Sequence, residues 1–209
     1  MGAPIWRRPL SALVWDADHT PRFRALAHHL MAWSWEYGLL KDMTRREAAL
    51  AADLAVLHDA GKHLLPPAVL DKPGRLTGEE RRLMQKHPVW GEALILYAMK
   101  TRRRLPALAY AAEICLHHHE RWDGGGYPDG LRGREIPMFV QAAGLADAYD
   151  ALVSPRSYRP PMDHRTAAGV ILAGGCGAFS PALLDILAER AQYIQSFIYE
   201  EAPNDKKTI

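Results

Sequence analysis

Cysteine is nearly absent: the 209 residues hold two, Cys115 and Cys176. Two thiols cannot build a disulfide framework, and a reducing cytoplasm is the simplest setting for such a chain. Long apolar runs are missing as well. No stretch reaches the roughly 18 consecutive apolar residues of a membrane span. The N-terminus has Arg7-Arg8, then Pro9 and only a short apolar segment before Asp16, which is not a secretory signal. Charge of one sign is not in excess either: 26 Lys and Arg against 24 Asp and Glu leave +2, too little to argue for a DNA or RNA polymer. The basic clusters Arg7-Arg8 and Arg102-Arg103-Arg104 read more simply as solvated faces than as anion sites. Strand-like alternation, internal repeats and low-complexity tracts do not occur.

What is present is helical periodicity. A composition of 48% apolar and 24% charged residues is that of a globular protein able to bury a sizeable core. Amphipathic helices are predicted over 19–37 and 44–58, the second opened by the capping-box pair Thr44 and Glu47. Pro66-Pro67 ends that region and Lys72-Pro73-Gly74 is a turn. Thr77 and Glu80 form a second capping box ahead of a helix to about Lys100, in which Pro88 must start a new segment or a kink. Pro106 suits the first turn of the next helix. Residues 123–137, rich in glycine, form a loop, and helices resume at 138–153, 164–173 and 181–199. The expected fold is all-α, a single-domain bundle of about seven helices, with residues 1–15 as a leader, 16–199 as the domain and 200–209 as a polar tail.

The chemistry concentrates in two places. His117-His118-His119-Glu120-Arg121-Trp122-Asp123-Gly124-Gly125-Gly126-Tyr127-Pro128 puts three consecutive histidines before two acids and three glycines. Imidazole is the commonest metal ligand. Upstream, His58-Asp59 closes the apolar run Leu54-Ala55-Val56-Leu57, followed by Gly61-Lys62. The candidate ligands His19, His58, Asp59, His87, His118, His119 and Asp147 fall in groups roughly 30 residues apart, the spacing that lets facing helices converge on a metal in a bundle core. Singly, His19 and His87 read equally as cap or surface residues. Asp147 lies in the apolar segment Ala143-Gly144-Leu145-Ala146-Asp147-Ala148-Tyr149, where a buried carboxylate requires a partner, either metal or arginine. A nitrogen–oxygen set without thiolate suits iron or manganese and also admits zinc, cobalt or nickel. His28, His29, His63 and His164 suit surface or packing roles. A metal-dependent phosphoester hydrolase is the leading reading.

These residues resemble the HD superfamily of phosphohydrolases. His58-Asp59-Ala60-Gly61-Lys62 looks like its HD signature, and His118 to Pro128 is similar to the extended signature of the HD-GYP subgroup. The likeness continues through Lys72-Pro73-Gly74-Arg75-Leu76-Thr77, His87-Pro88-Val89-Trp90-Gly91, Asp147-Ala148-Tyr149-Asp150 and Arg156-Ser157-Tyr158-Arg159, over roughly residues 16 to 190. It implies an HD-type bundle with a metal centre in the core and cyclic di-GMP phosphodiesterase activity, releasing linear pGpG or going on to GMP. It further implies a centre of two or three divalent ions, often iron or manganese. His19, His58, Asp59 and Asp147 would hold one ion. Asp59 would bridge to a second, held also by His87, His118 and His119. Lys62 would contact the scissile phosphate, with Asp59 and Lys62 the catalytic pair. Gly126, Tyr127 and Pro128 would border the nucleotide, and Arg156 and Arg159 would meet phosphate or guanine, a structural salt bridge being the alternative for both.

Two positions depart from the subgroup's pattern. Gln141 stands where arginine is usual, which alters the bracing expected for Asp147 or a neighbouring carboxylate. Ser157 replaces a usual proline. A catalytically weak receptor for cyclic dinucleotides, a protein-interaction module and a phosphohydrolase for cyclic GMP-AMP are the competing readings. Members of the subgroup often carry a sensory or receiver domain before the catalytic one, so input is expected from a signalling partner or from a domain outside this sequence. Trp15 occupies the position of the glutamate found in three-metal members, and Asp16 is a poor substitute, so two metals are expected.

Overall fold

The computed structural model describes residue 5 and residues 9–15, 20–101, 106–155 and 160–200, the last six by backbone alone. His19, Arg156 and Arg159, together with Asp16 and Ser157, lie outside the described residues. The described helices are α1 (Thr20–Glu36), α2 (Arg45–Leu54), α3 (Pro67–Leu70), α4 (Gly78–Met84), α5 (His87–Thr101), α6 (Leu108–His117), α7 (Met138–Val153), α8 (His164–Leu172) and α9 (Pro181–Glu200). Among the described residues there is no named strand, only the isolated bridges Asp123–Arg132 and Gly175–Gly177. The fold is all-α, as expected. Two more helices are described than the seven foreseen, because 77–100 divides into α4 and α5 and because Pro67 starts the one-turn α3.

Local chemistry sets the boundaries. Both capping boxes form: Glu47 N–H donates to Thr44 Oγ1 at 3.2 Å and Glu80 N–H to Thr77 Oγ1 at 3.2 Å, with the glutamates reaching back at 2.7 Å each. Pro88, lacking an N–H, falls in the first turn of α5, where no intrahelical donor is needed. The helix predicted over 44–58 ends at Leu54. It gives way to 3₁₀ turns at Ala55–Leu57 and Ala60–Leu64, which bracket His58-Asp59. Tight winding of this kind inside a helical run often accompanies a functional site.

α7 is the central element. From Val140 to Val153 every residue is buried except Asp147 and Ala151, which explains why its sequence is apolar on all sides. α1 packs on α2, α7 and α9, while α5 packs on α6 and the 60–64 turn. Leu26, Leu30, Met31, Ile95, Ile114, Leu145 and Ile171 fill the space between them. Close approaches seat the helices that carry the histidines. A Cβ on Gly61 would lie 1.9 Å from the His87 carbonyl oxygen, and one on Gly144 would lie 2.5 Å from that of His118. Only glycine permits these contacts.

Candidate metal centre

Four parts of the bundle bring their polar side chains to one point. His58 and Asp59 come from the turn after α2, His87 from the start of α5, His118 and His119 from the end of α6, and Asp147 from the middle of α7. One ring nitrogen from each of His87, His118 and His119 lies within 4.8 Å of the other two. Asp59 Oδ1 is 3.3 Å from His87 Nε2 and 3.9 Å from His118 Nε2, while its Oδ2 is 3.3 Å from His58 Nε2. His58 Nε2 lies 3.6 Å from Asp147 Oδ1. Asp59 thus touches both groups of ligands, the position expected of a bridging carboxylate.

The donor set fits a cation. Nδ1 of His58, His87 and His118 donates to the carbonyls of Ala55 (2.9 Å), Met84 (2.8 Å) and Ile114 (3.0 Å). A carbonyl can only accept, so each Nδ1 carries its proton outward and each Nε2 points inward, with its lone pair free on His87 and His118. His87 Nε2 and His118 Nε2 then face each other at 3.3 Å, an unfavourable pairing of two acceptors that a cation between them relieves. Burial and the neighbouring imidazoles hold His118 well below its ordinary pKa, and burial brings His119 down to about 3. Both are therefore neutral and ligand-ready at pH 7. Burial opposes a charge on His58, but Asp59 and Asp147 outweigh it and lift that imidazole to about 10. Burial also works against ionised Asp59 and Asp147, yet Lys62 and His58 keep Asp59, and His58 keeps Asp147, far below the usual carboxylate range. The centre is a place where positive charge is stabilised.

Lys62, one turn on, places Nζ 2.6 Å from Asp59 Oδ2. It lines the same cleft as His58, Asp59, Tyr127 and Asp147. The Gly126-Tyr127-Pro128 loop closes over the histidines: the Tyr127 ring stacks on His119 at 4.7 Å between centroids, and burial raises its phenol. A Cβ on Gly126 would sit 2.4 Å from both Glu120 Cα and Arg121 N, so the close approach demands glycine there.

The sequence assigned no role to Glu120 or Arg121. Glu120 is buried, and its carboxylate accepts the N–H groups of Asp129 (2.7 Å), Gly130 (3.1 Å) and Leu131 (3.0 Å), fastening the far side of the loop. Arg121 donates to the carbonyls of Cys176, His118 and Glu120 and lies over the Phe179 ring. The signal for Glu120 was an acid immediately before a glycine-rich loop, whose N–H groups need acceptors. His117, the first of the three tandem histidines, turns away from the centre and joins Glu113 (3.1 Å) to Asp129 (3.0 Å). Gln141 does not brace a carboxylate: its amide donates to the Ile136 and Gly133 carbonyls. Asp150 is braced instead by Arg22 Nε at 2.5 Å. Trp15 packs edge-on against His63 at 4.9 Å.

The family model described as HD domain matches residues 16–176. A cyclic di-GMP phosphodiesterase of Vibrio cholerae is 41% identical over 162 residues, covering 78% of this chain and 32% of that protein. A 3'3'-cGAMP-specific phosphodiesterase of the same organism is 37% identical over 153 residues, covering 73% and 28%. The chain therefore spans about a third of the length of such relatives. Among solved structures, Bd1817, an HDG"Y"P protein from Bdellovibrio bacteriovorus, superposes with a TM-score of 0.56 at 24% identity, over 86% of this chain and 56% of that one, and so shares its fold. With one family model covering most of the chain and relatives 41% and 42% identical over 78% and 71% of it, the chain belongs to the HD domain family, in its HD-GYP group.

Proposed function

We propose that this chain is a metal-dependent phosphodiesterase that hydrolyses cyclic di-GMP to linear pGpG or GMP, acting in the cytoplasm in bacterial second-messenger signalling. The observation that carries this reading is the convergence of His58, Asp59, His87, His118, His119 and Asp147 on one point, from which His58, Asp59 and Asp147 line an open cleft. These residues, with His19, would hold two divalent ions, iron or manganese before zinc, cobalt or nickel. When bound, such ions supply Lewis-acid polarisation of the phosphodiester and lower the pKa of the attacking water.

The chain's own residues do the rest. Asp59 and Asp147 hold the centre's negative charge, and the backbone carbonyls behind the histidines keep their rings in the ligating tautomer. Lys62 adds a positive charge beside the phosphate position, where charge builds in the transition state. Tyr127 and the loop around it exclude water from the His119 side. Arg156 and Arg159 are assigned to phosphate or guanine on the family resemblance. Residues 16–199 would form the catalytic domain. Among the described residues no helix is long and apolar enough to cross a membrane.

Cyclic GMP-AMP is the second substrate to weigh, since relatives named for it match at similar identity. Turnover of each dinucleotide after anaerobic reconstitution with Fe(II) or Mn(II), with product analysis, tests both. Hydrolysis of cyclic di-GMP is expected. A metal-loaded protein that binds it without turnover would instead be a receptor.

A further inference from the structure

The cleft above the metal centre encloses about 1380 Å³, more than the roughly 300–1,000 Å³ of a typical small-molecule site. Part of its lining is built by the 71–76 loop and by α4. Four cationic side chains line it: Lys62, Lys72, Arg75 and Arg81. Two of them are committed. Lys62 is paired with Asp59, and Lys72 lies 2.8 and 2.6 Å from the two carboxylate oxygens of Glu80. Among the described residues, no hydrogen bond or ion pair engages the side chain of Arg75 or Arg81. Asp71, on the same wall, is exposed and unpaired with either.

The wall that carries them is firmly held. Glu80 grips Lys72 and also caps Thr77, so the loop is fastened to the first turn of α4. Gly74 turns the chain at φ +105° just before Arg75, a backbone conformation that side-chain-bearing residues rarely adopt. The backbone that carries the exposed Arg75 and Arg81 is thereby held in place, and both side chains line the cleft that His58, Asp59 and Asp147 also line.

We propose that Arg75 and Arg81 form a second anion subsite, which takes the phosphate of a cyclic dinucleotide that is not being cleaved. This rests on the function proposed above and names how the second half of that substrate is recognised. A cyclic dinucleotide carries two phosphates held apart by its ring, and only one can lie at the metals. Guanidinium binds phosphate through paired N–H donors and has no lone pair with which to enter the chemistry. Gripping the distant phosphate adds affinity for the ring equally in the bound substrate and in its transition state, so its loss appears in KM.

The test is steady-state kinetics of the reconstituted Arg75→Gln/Arg81→Gln protein on cyclic di-GMP, on cyclic GMP-AMP and on bis(p-nitrophenyl) phosphate, which has one phosphate. Arg82→Gln, on α4 but not lining the cleft, controls for general surface charge. KM for the cyclic dinucleotide should rise about tenfold or more, with kcat within twofold, bis(p-nitrophenyl) phosphate turnover unchanged and Arg82→Gln like wild type. Unchanged KM in the double variant, or an equal rise in Arg82→Gln, overturns the subsite alone. A wild-type protein that cleaves bis(p-nitrophenyl) phosphate but neither cyclic dinucleotide overturns the proposed function, and the subsite with it.

Discussion

Asp59 is where the two groups of candidate ligands meet, with one oxygen toward His87 and His118 and the other toward His58 and Lys62. Replacing it by alanine leaves the centre without its shared carboxylate. Asp59→Ala is expected to lose bound metal and to abolish hydrolysis; full metal content with wild-type turnover would show the assignment to be wrong. Lys62→Ala should behave differently. An ammonium has no lone pair for a metal, and removing a cation beside a cation site does not weaken metal binding. Turnover should fall by about 1.5–3 kcal/mol, roughly 10- to 100-fold, while metal analysis stays at the wild-type value. Unchanged kinetics would refute the role. Such residues were legible in the sequence because a His-Asp pair ending an apolar run, and an acid inside Leu145-Ala146-Asp147-Ala148-Tyr149, have few other uses. The tandem histidines alone did not show which of the three turn inward. The hydrogen bonds between His117 and both Glu113 and Asp129 decide that, and the second depends on a loop residue twelve positions on.

At the scale of elements, the capped helices were readable because their signals are local. Thr44 with Glu47 and Thr77 with Glu80 need no tertiary context. The 3₁₀ turns around His58-Asp59 were not readable, since they follow from Gly61 meeting the His87 carbonyl, a contact between distant segments. The same holds for Glu120 beneath the 129–131 backbone and for Arg22 on Asp150. These contacts yield two predictions. Gly61→Ala must push the 60–64 turn off α5 and should destabilise the fold by about 1–3 kcal/mol or more, measured by thermal or denaturant unfolding; unfolding indistinguishable from wild type would contradict the packing described. Gly126→Ala meets the backbone of Glu120 and Arg121 and should shift Tyr127 from His119. Its expected signature is impaired turnover with metal content retained, because no ligand is touched. Loss of metal without loss of fold would show that the loop holds the ligands themselves.

Across the whole molecule, the candidate ligands tie together α5, α6, α7 and the turn after α2. A metal bound there cross-links the bundle, so the loaded protein should be the more stable. Binding at 100 times Kd contributes about 2.7 kcal/mol, visible as a fall in melting temperature after chelation. Nuclearity belongs to this scale too: Trp15 offers no hard ligand where three-metal members of the family carry glutamate, and its indole packs on His63. The most direct measurement is a titration of metal-free protein with Fe(II) or Mn(II) under anaerobic conditions, following cyclic di-GMP hydrolysis against metal bound per chain. The account predicts no hydrolysis without metal, a rise to a plateau near two ions per chain, and linear pGpG or GMP as product. Hydrolysis that ignores added metal, or a fully loaded protein that leaves cyclic dinucleotides intact, would contradict it.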